Sequence, residues 1–360
     1  LDTLAYNTHY LGFNANMLAN EMFLDSASLR SSVVSHAKTL GYEVQSARAP
    51  IATINVALTT DSSTKTMPSG TAFSSTVDGT TYQFVTIADV TSSNVGGVVS
   101  FDSTQIYEGT YITTKFVVDT SDLDQRFVLG DNRVDTSTLT VKVQNSSSDT
   151  TTTTYTKATD ITQLSSTSTV YYLQEVDTGR FEVYFGDGVV SRSLSDGNIV
   201  ILEYVVTNKT AANGASSFGG AEPESLESIK LQAPLDFASQ GRAVTTDDYA
   251  VYTRKLFPNT QAVSVFGGED GSFDPSLGVS STPEYGKVFI SIKSTTGLNL
   301  TSEQKSQLVS DFSKYKVASI TPVIVDPETT FLILGTTFNY DSSATTREKT
   351  ISSLKIDRTY

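Results

Sequence analysis

The sequence contains no cysteine. Disulfide bonds, thiol catalysis and cysteine-type zinc sites are therefore excluded, and the fold does not depend on an oxidising environment. Histidine is nearly absent too. His9 and His36 are the only two, both lie near the N-terminus, and neither stands near a nucleophile signal. The chain has no G-x-S-x-G elbow, phosphate-binding loop, dinucleotide fingerprint or His-Glu-x-x-His helix. No apolar run approaches the roughly 20 residues of a membrane helix. Basic charge is also short, with 25 Lys and Arg against 39 Asp and Glu and a formal net charge of -14 over 360 residues. Such a surface repels phosphate backbones, which argues against a nucleic-acid partner. Neither a cofactor nor a metal is expected, and nothing argues for an enzyme.

The hydrophobic content of 38% suits a globular protein of two or three domains. The chain opens "LDTLAYNTHY", without Met or a signal-peptide pattern, and reads as a piece of a longer protein. Asn145, Asn208 and Asn299 match the glycosylation tripeptide, a pattern that chance produces often in a chain rich in Ser and Thr.

Four segments are expected, together making an α+β protein. Residues 1–49 read as two helices, about 3–24 and 27–40, with Leu29, Val33, Ala37 and Leu40 at helical spacing in the second. Asp25 or Ser26 is placed to cap its start and Gly41 to stop it. Residues 50–222 change to period two and read as one β-rich domain of short strands. Residues 223–284 read as a helical and loop connector, with Thr245 and Asp248 as a capping box and Pro258 ending that helix. Residues 285–360 follow a β-α-β-β-α order, a ferredoxin-like unit without its last strand.

The first helix carries two apolar stripes. At 100° per residue, Tyr6, Tyr10, Phe13, Met17 and Leu24 fall on one, and Leu4, Leu11, Ala15, Leu18 and Met22 on the other. Asn7, Asn14 and Glu21 run between them at heptad spacing. A helix packing only on its own domain needs one stripe. The second helix is expected to cover one, leaving the other as an interface with another chain, where Asn7 and Asn14 set register. Leu4, Tyr10, Leu11, Phe13, Met17, Leu18 and Met22 are the candidate contact residues.

Two acidic loops invite a chemical reading. In "FEVYFGDGVV" (181–190), Asp-Gly between alternating apolar runs is a strong signal for a two-residue type I′ hairpin, with Asp187 and Gly188 both at positive φ. No second carboxylate stands beside Asp187 at a ligand spacing, so a structural turn is expected rather than a metal or catalytic site. In "GGEDGSFDPSLG" (267–278), Asp270, Ser272 and Asp274 take calcium-loop positions one, three and five. Pro275 stands where that loop needs glycine, and no Glu follows at position twelve.

Several stretches together resemble the baseplate J-like family of contractile-tail phages, and within it the baseplate wedge proteins of myoviruses. They are "NEMFLDSASLRSSVVSHAKTLGY" (20–42), "MPSGTAF" (67–73), "IYEGTY" (106–111), "RFVLGDNRVDTSTLTVKV" (126–143), "FEVYFGDGVV", "RAVTTDDYAVYTRKLFPNTQAVSVFGGED" (242–270) and "YGKVFISI" (285–292). Ser191 departs from the pattern, because relatives often carry glycine there. The resemblance implies a scaffold in the virion tail, assembled in the host cytoplasm. Copies would pair within each wedge, and six wedges would close a ring around the hub. That ring would nucleate the sheath and rearrange as the tail contracts. The implied partners are a second copy, other wedge subunits and the sheath-initiating or hub-proximal tail proteins. The residues alone leave a β-rich extracellular adhesin or receptor-binding protein as the alternative, and a tail-associated glycan hydrolase as a weaker third.

Overall fold

The structure is a computed structural model. It describes all residues except 1, 78, 123–124, 159–163, 177–178, 209–216, 218, 270–282, 296 and 328–360, and leaves the side chains of 77 and 303 undescribed. The described part is α+β.

Helix α1 (Asp2–Glu21) is followed by a corner and α2 (Arg30–Thr39). The α2 start is not capped by Asp25 or Ser26. Glu21 reaches forward instead, its carboxylate accepting from the amide and hydroxyl of Ser28 at 2.8 and 2.7 Å and from the Leu29 amide. Gly41 ends the segment at φ +78°. His36 binds the other side of the corner, its ring Nε2 lying 2.9 Å from the Glu21 carbonyl oxygen.

The stretch read as one β-rich domain forms two sheets. Strands β1 (Ile51–Thr59), β2 (Thr64–Met67), β3 (Ala72–Val77), β4 (Thr80–Val85), β5 (Val90–Val95) and β6 (Val98–Glu108) make the first. Its order is β2-β5-β6-β4-β3, and β1 pairs antiparallel along β6. Gly96 and Gly97, both at positive φ, join β5 to β6 as a two-residue hairpin of the kind that demands such residues.

The second sheet has seven strands: β7 (Thr110–Val117), β8 (Phe127–Val128), β9 (Val134–Gln144), β10 (Thr152–Lys157), β11 (Val170–Glu175), β12 (Phe181–Phe185) and β13 (Ile199–Val206). They run β7-β13-β9-β10-β11-β12-β8, and only β10 and β11 are parallel. Val141, Val183, Val200 and Leu202 centre the largest core. The sheets meet at Gly109, which has φ +133°, and a side chain there would collide with the Val206 backbone. Two buried carboxylates pin this junction. Glu108 accepts from the Thr207 hydroxyl at 2.9 Å, and Asp135 accepts from the Ala49 amide at 2.8 Å and from Ser137. Burial raises the Asp135 pKa, against the lowering effect of those hydrogen bonds.

The segment read as a connector divides between two cores. Helix α3 (Leu226–Ser239) packs Ile229 and Ala233 against Val33, Val34 and Ala37 of α2. Helix α4 (Thr246–Leu256) has the expected Thr245–Asp248 capping box. It packs Tyr249 and Tyr252 with Ile290, Ile292 and Phe312 against a sheet of β14 (Thr260–Gly267), β15 (Lys287–Ser294) and β16 (Thr321–Val325), beside α5 (Ser302–Phe312).

In a ferredoxin-like unit a strand splits the first βαβ pair. Here β15 and β16 hydrogen-bond directly in parallel, Lys287 opposite Thr321, and β14 takes the other edge of β15 antiparallel. The described residues thus form an unsplit β-α-β with a preceding α-β arm. The strand read at 329–340 and the helix read at 345–355 lie outside the described residues.

Candidate interaction surfaces

Helix α1 has no buried residue. Of the seven candidate contact residues, Leu4, Tyr10, Leu11, Phe13, Leu18 and Met22 are all more than half exposed and Met17 is 43% exposed. The expectation that α2 covers one stripe is not met. The apolar face of α2 is spent on α3, through Val33, Val34 and Ala37, while Leu29, expected on that face, is exposed. Leu24 alone of the first stripe, past the end of α1, packs on that α2–α3 core; within α1 both stripes face outward, and Tyr6 stacks on Tyr10 along one of them at 6.3 Å. Phe23, just past the helix and absent from either stripe, adds to the exposed set.

A lone helix of this composition is poorly supported. Residues 3–20 carry no acidic or basic side chain other than His9, so there are no ion pairs along the helix. Gly12 and four asparagines lower its propensity, and isolated helices of such length are marginal in water. Burial of its stripes would supply the missing stability, at roughly 1.5–3 kcal/mol per large side chain.

The base of α1 is firmly tied to the body. Arg30 Nε donates to Glu175 Oε1 at 2.5 Å and Nη2 to Oε2 at 2.9 Å, which fastens α2 to β11. Its Nη1 donates to the Glu224 carbonyl oxygen at 2.6 Å. The Glu224 carboxylate accepts from Tyr42, Ser228 and the Gln45 amide, which joins α3 to the same node. Burial, reinforced by Glu224, pushes the Tyr42 hydroxyl pKa upward.

Asp187 and Gly188 do form a bend, but not the expected hairpin. Gly188 has φ +87°, whereas Asp187 is not among the residues at positive φ. Residues 186–198 lie outside any strand, and β12 pairs with β11 and β8 instead. The Asp187 carboxylate accepts from the amides of Val189 and Val190 at 2.9 and 3.4 Å, and these bonds lower its pKa. The Gly188 amide donates to the Ser191 carbonyl oxygen at 2.9 Å. The competing cause is close packing: Ser191 is fully buried against Gly186, where a side chain would fall on its hydroxyl and backbone. Val189 is left 74% exposed at the tip.

Among the described residues no group of three or more His, Asp or Glu side chains is placed to hold a metal ion. The loop read at Asp270, Ser272 and Asp274 lies outside the described residues.

Two family models match the chain. "Bacteriophage baseplate wedge protein gp6, third domain" matches residues 113–215, the span of the seven-stranded sheet. "Baseplate structural protein gp6, C-terminal domain I" matches residues 245–325, from the α4 cap to the end of β16. The chain belongs to the baseplate wedge proteins of contractile-tail phages. This wedge chain is similar to "Baseplate wedge protein gp6" of Enterobacteria phage T4, at 28% identity over 382 aligned positions. The alignment covers 92% of the wedge chain and 54% of the T4 protein, so the chain spans about half the length of that relative. A solved structure, the six-fold symmetrised anti-feeding prophage baseplate, aligns with 91% of the wedge chain and 66% of its own matched chain. Its 13% identity and TM-score of 0.30 make that likeness too distant to bear on the fold. The wedge chain is thus a structural subunit of the virion tail baseplate.

Proposed function

We propose that the wedge chain assembles through α1. One stripe packs on a second copy of the chain, and the other on a neighbouring wedge subunit. The exposure of both stripes on a helix with no buried residue carries this reading. Asn7 and Asn14, between the stripes, would fix register in such a bundle. Wedges paired in this way would close the ring around the hub and contact the sheath-initiating tail proteins. The node of Arg30, Glu175 and Glu224 would carry movement of α1 into the seven-stranded sheet and α3, and so relay the rearrangement that triggers sheath contraction. The role requires no catalytic centre. Imaging of baseplates assembled with Phe13→Asp or Leu18→Asp tests the proposal. Open or missing rings are expected in both, with the chain still soluble and folded. Intact rings in both variants would contradict it.

A further inference from the structure

A cleft of about 750 Å³ opens between α3, with Tyr42 and Gln45 beside it, and the α4–β14 layer, a size suited to a ligand of a few residues. Three of its polar side chains are idle. Gln232 on α3 and Asn259 before β14 are both more than nine-tenths buried, yet neither side-chain amide has a hydrogen-bond partner among the described residues. The half-buried Arg254, in the last turn of α4, likewise has no ion pair or hydrogen bond among them. The unpartnered amides still reach the solvent of the cleft, and a guanidinium in an acidic chain finds a carboxylate easily.

The other half-buried charges of the cleft, Lys255 and Glu224, are already committed. Lys255 binds both carboxylate oxygens of Asp236, at 3.0 and 3.2 Å. Glu224 is held by Tyr42, Ser228 and the Gln45 amide. Exposed Glu222 and Glu227 also line the cleft, Glu227 with Lys230 at 4.0 Å. Leu231, Val251 and Pro258 supply apolar wall.

We infer that this cleft takes an extended peptide segment from a partner protein, with one acidic side chain of the segment on Arg254 and its backbone on Gln232 and Asn259. A primary amide offers one donor face and one acceptor, which matches the alternating N–H and C=O of an extended backbone. The single free guanidinium matches one carboxylate bidentately. Glu222 and Glu227 would repel a polyanion, which disfavours nucleic acid. The inference does not depend on how α1 assembles.

Panning a random hexapeptide display library against the whole chain tests it. Wild type should enrich peptides with Asp or Glu at one position. Arg254→Gln should lose that preference and bind the selected peptide at least about tenfold more weakly, while melting with wild type. Arg254→Asp should instead select Lys or Arg. Phe13→Asp, far along α1, should bind the peptide as wild type does, so failure here and failure of α1 assembly read separately. Absence of an acidic consensus, or equal binding by Arg254→Gln, would overturn the proposal. So would binding of inorganic phosphate with no selected peptide.

Discussion

Glu21, the last residue of α1, receives the amide and the hydroxyl of Ser28 on one carboxylate oxygen, at 2.8 and 2.7 Å. With the Leu29 amide and His36, this contact holds the corner between a solvent-facing helix and the folded body, and it depends on charge. The Ser28 hydroxyl, and then its amide, hold the Glu21 pKa down to about 2. An acid with a depressed folded pKa stabilises above its unfolded value, about 4.3, and that contribution fades as pH falls toward the folded value. Amide-exchange protection at Ser28 and Leu29 should therefore decline between about pH 4.5 and pH 2. Glu21→Gln should flatten that dependence, and equal pH profiles in both proteins would refute the latch.

Arg30 and Glu175 are paired with side-chain exposures of 29% and 1%. Removing the arginine alone strands a buried carboxylate. Arg30→Ala should cost about 3 kcal/mol or more in denaturant unfolding, and Arg30→Met with Glu175→Leu should cost less than that single change. A double variant as damaged as the sum of the two singles would show that the ion pair is not the cause.

At the Asp187 bend, Gly186→Ala should destabilise by about 1–3 kcal/mol through its collision with Ser191. Ser191→Gly in the same chain should recover part of the loss by removing the hydroxyl, leaving the backbone contact. Gly188→Ala, strained at positive φ but facing only the Ser193 side chain, should cost less, on the order of 1 kcal/mol. Thermal unfolding of the four proteins checks the order.

What the sequence disclosed was local. Thr245 and Asp248 mark the α4 cap because a capping box is written in four residues. The stripes of α1 follow from helical spacing alone. Asp-Gly signals a hairpin locally, but β11 and β8 already occupy both edges of β12, and Ser191 closes on Gly186 within the bend. Helix α3 went unread because Pro234 interrupts its pattern, although the helix runs through that proline. Strand β14 lies in the stretch read as connector, and the direct pairing of β15 with β16 is what departs from the split ferredoxin-like order. The cleft was invisible because Gln232, Arg254 and Asn259 come from separate elements that only packing brings together.

The direct test of α1 as an assembly helix is sedimentation equilibrium of the whole chain, compared with Phe13→Asp and Leu18→Asp. Both positions are exposed, so neither variant should shift monomer stability by more than about 0.5 kcal/mol. Wild type should self-associate with rising concentration, and at least one variant should remain monomeric with an unchanged melting curve. A wild-type chain that stays monomeric throughout, or variants that associate as wild type does, would contradict the account.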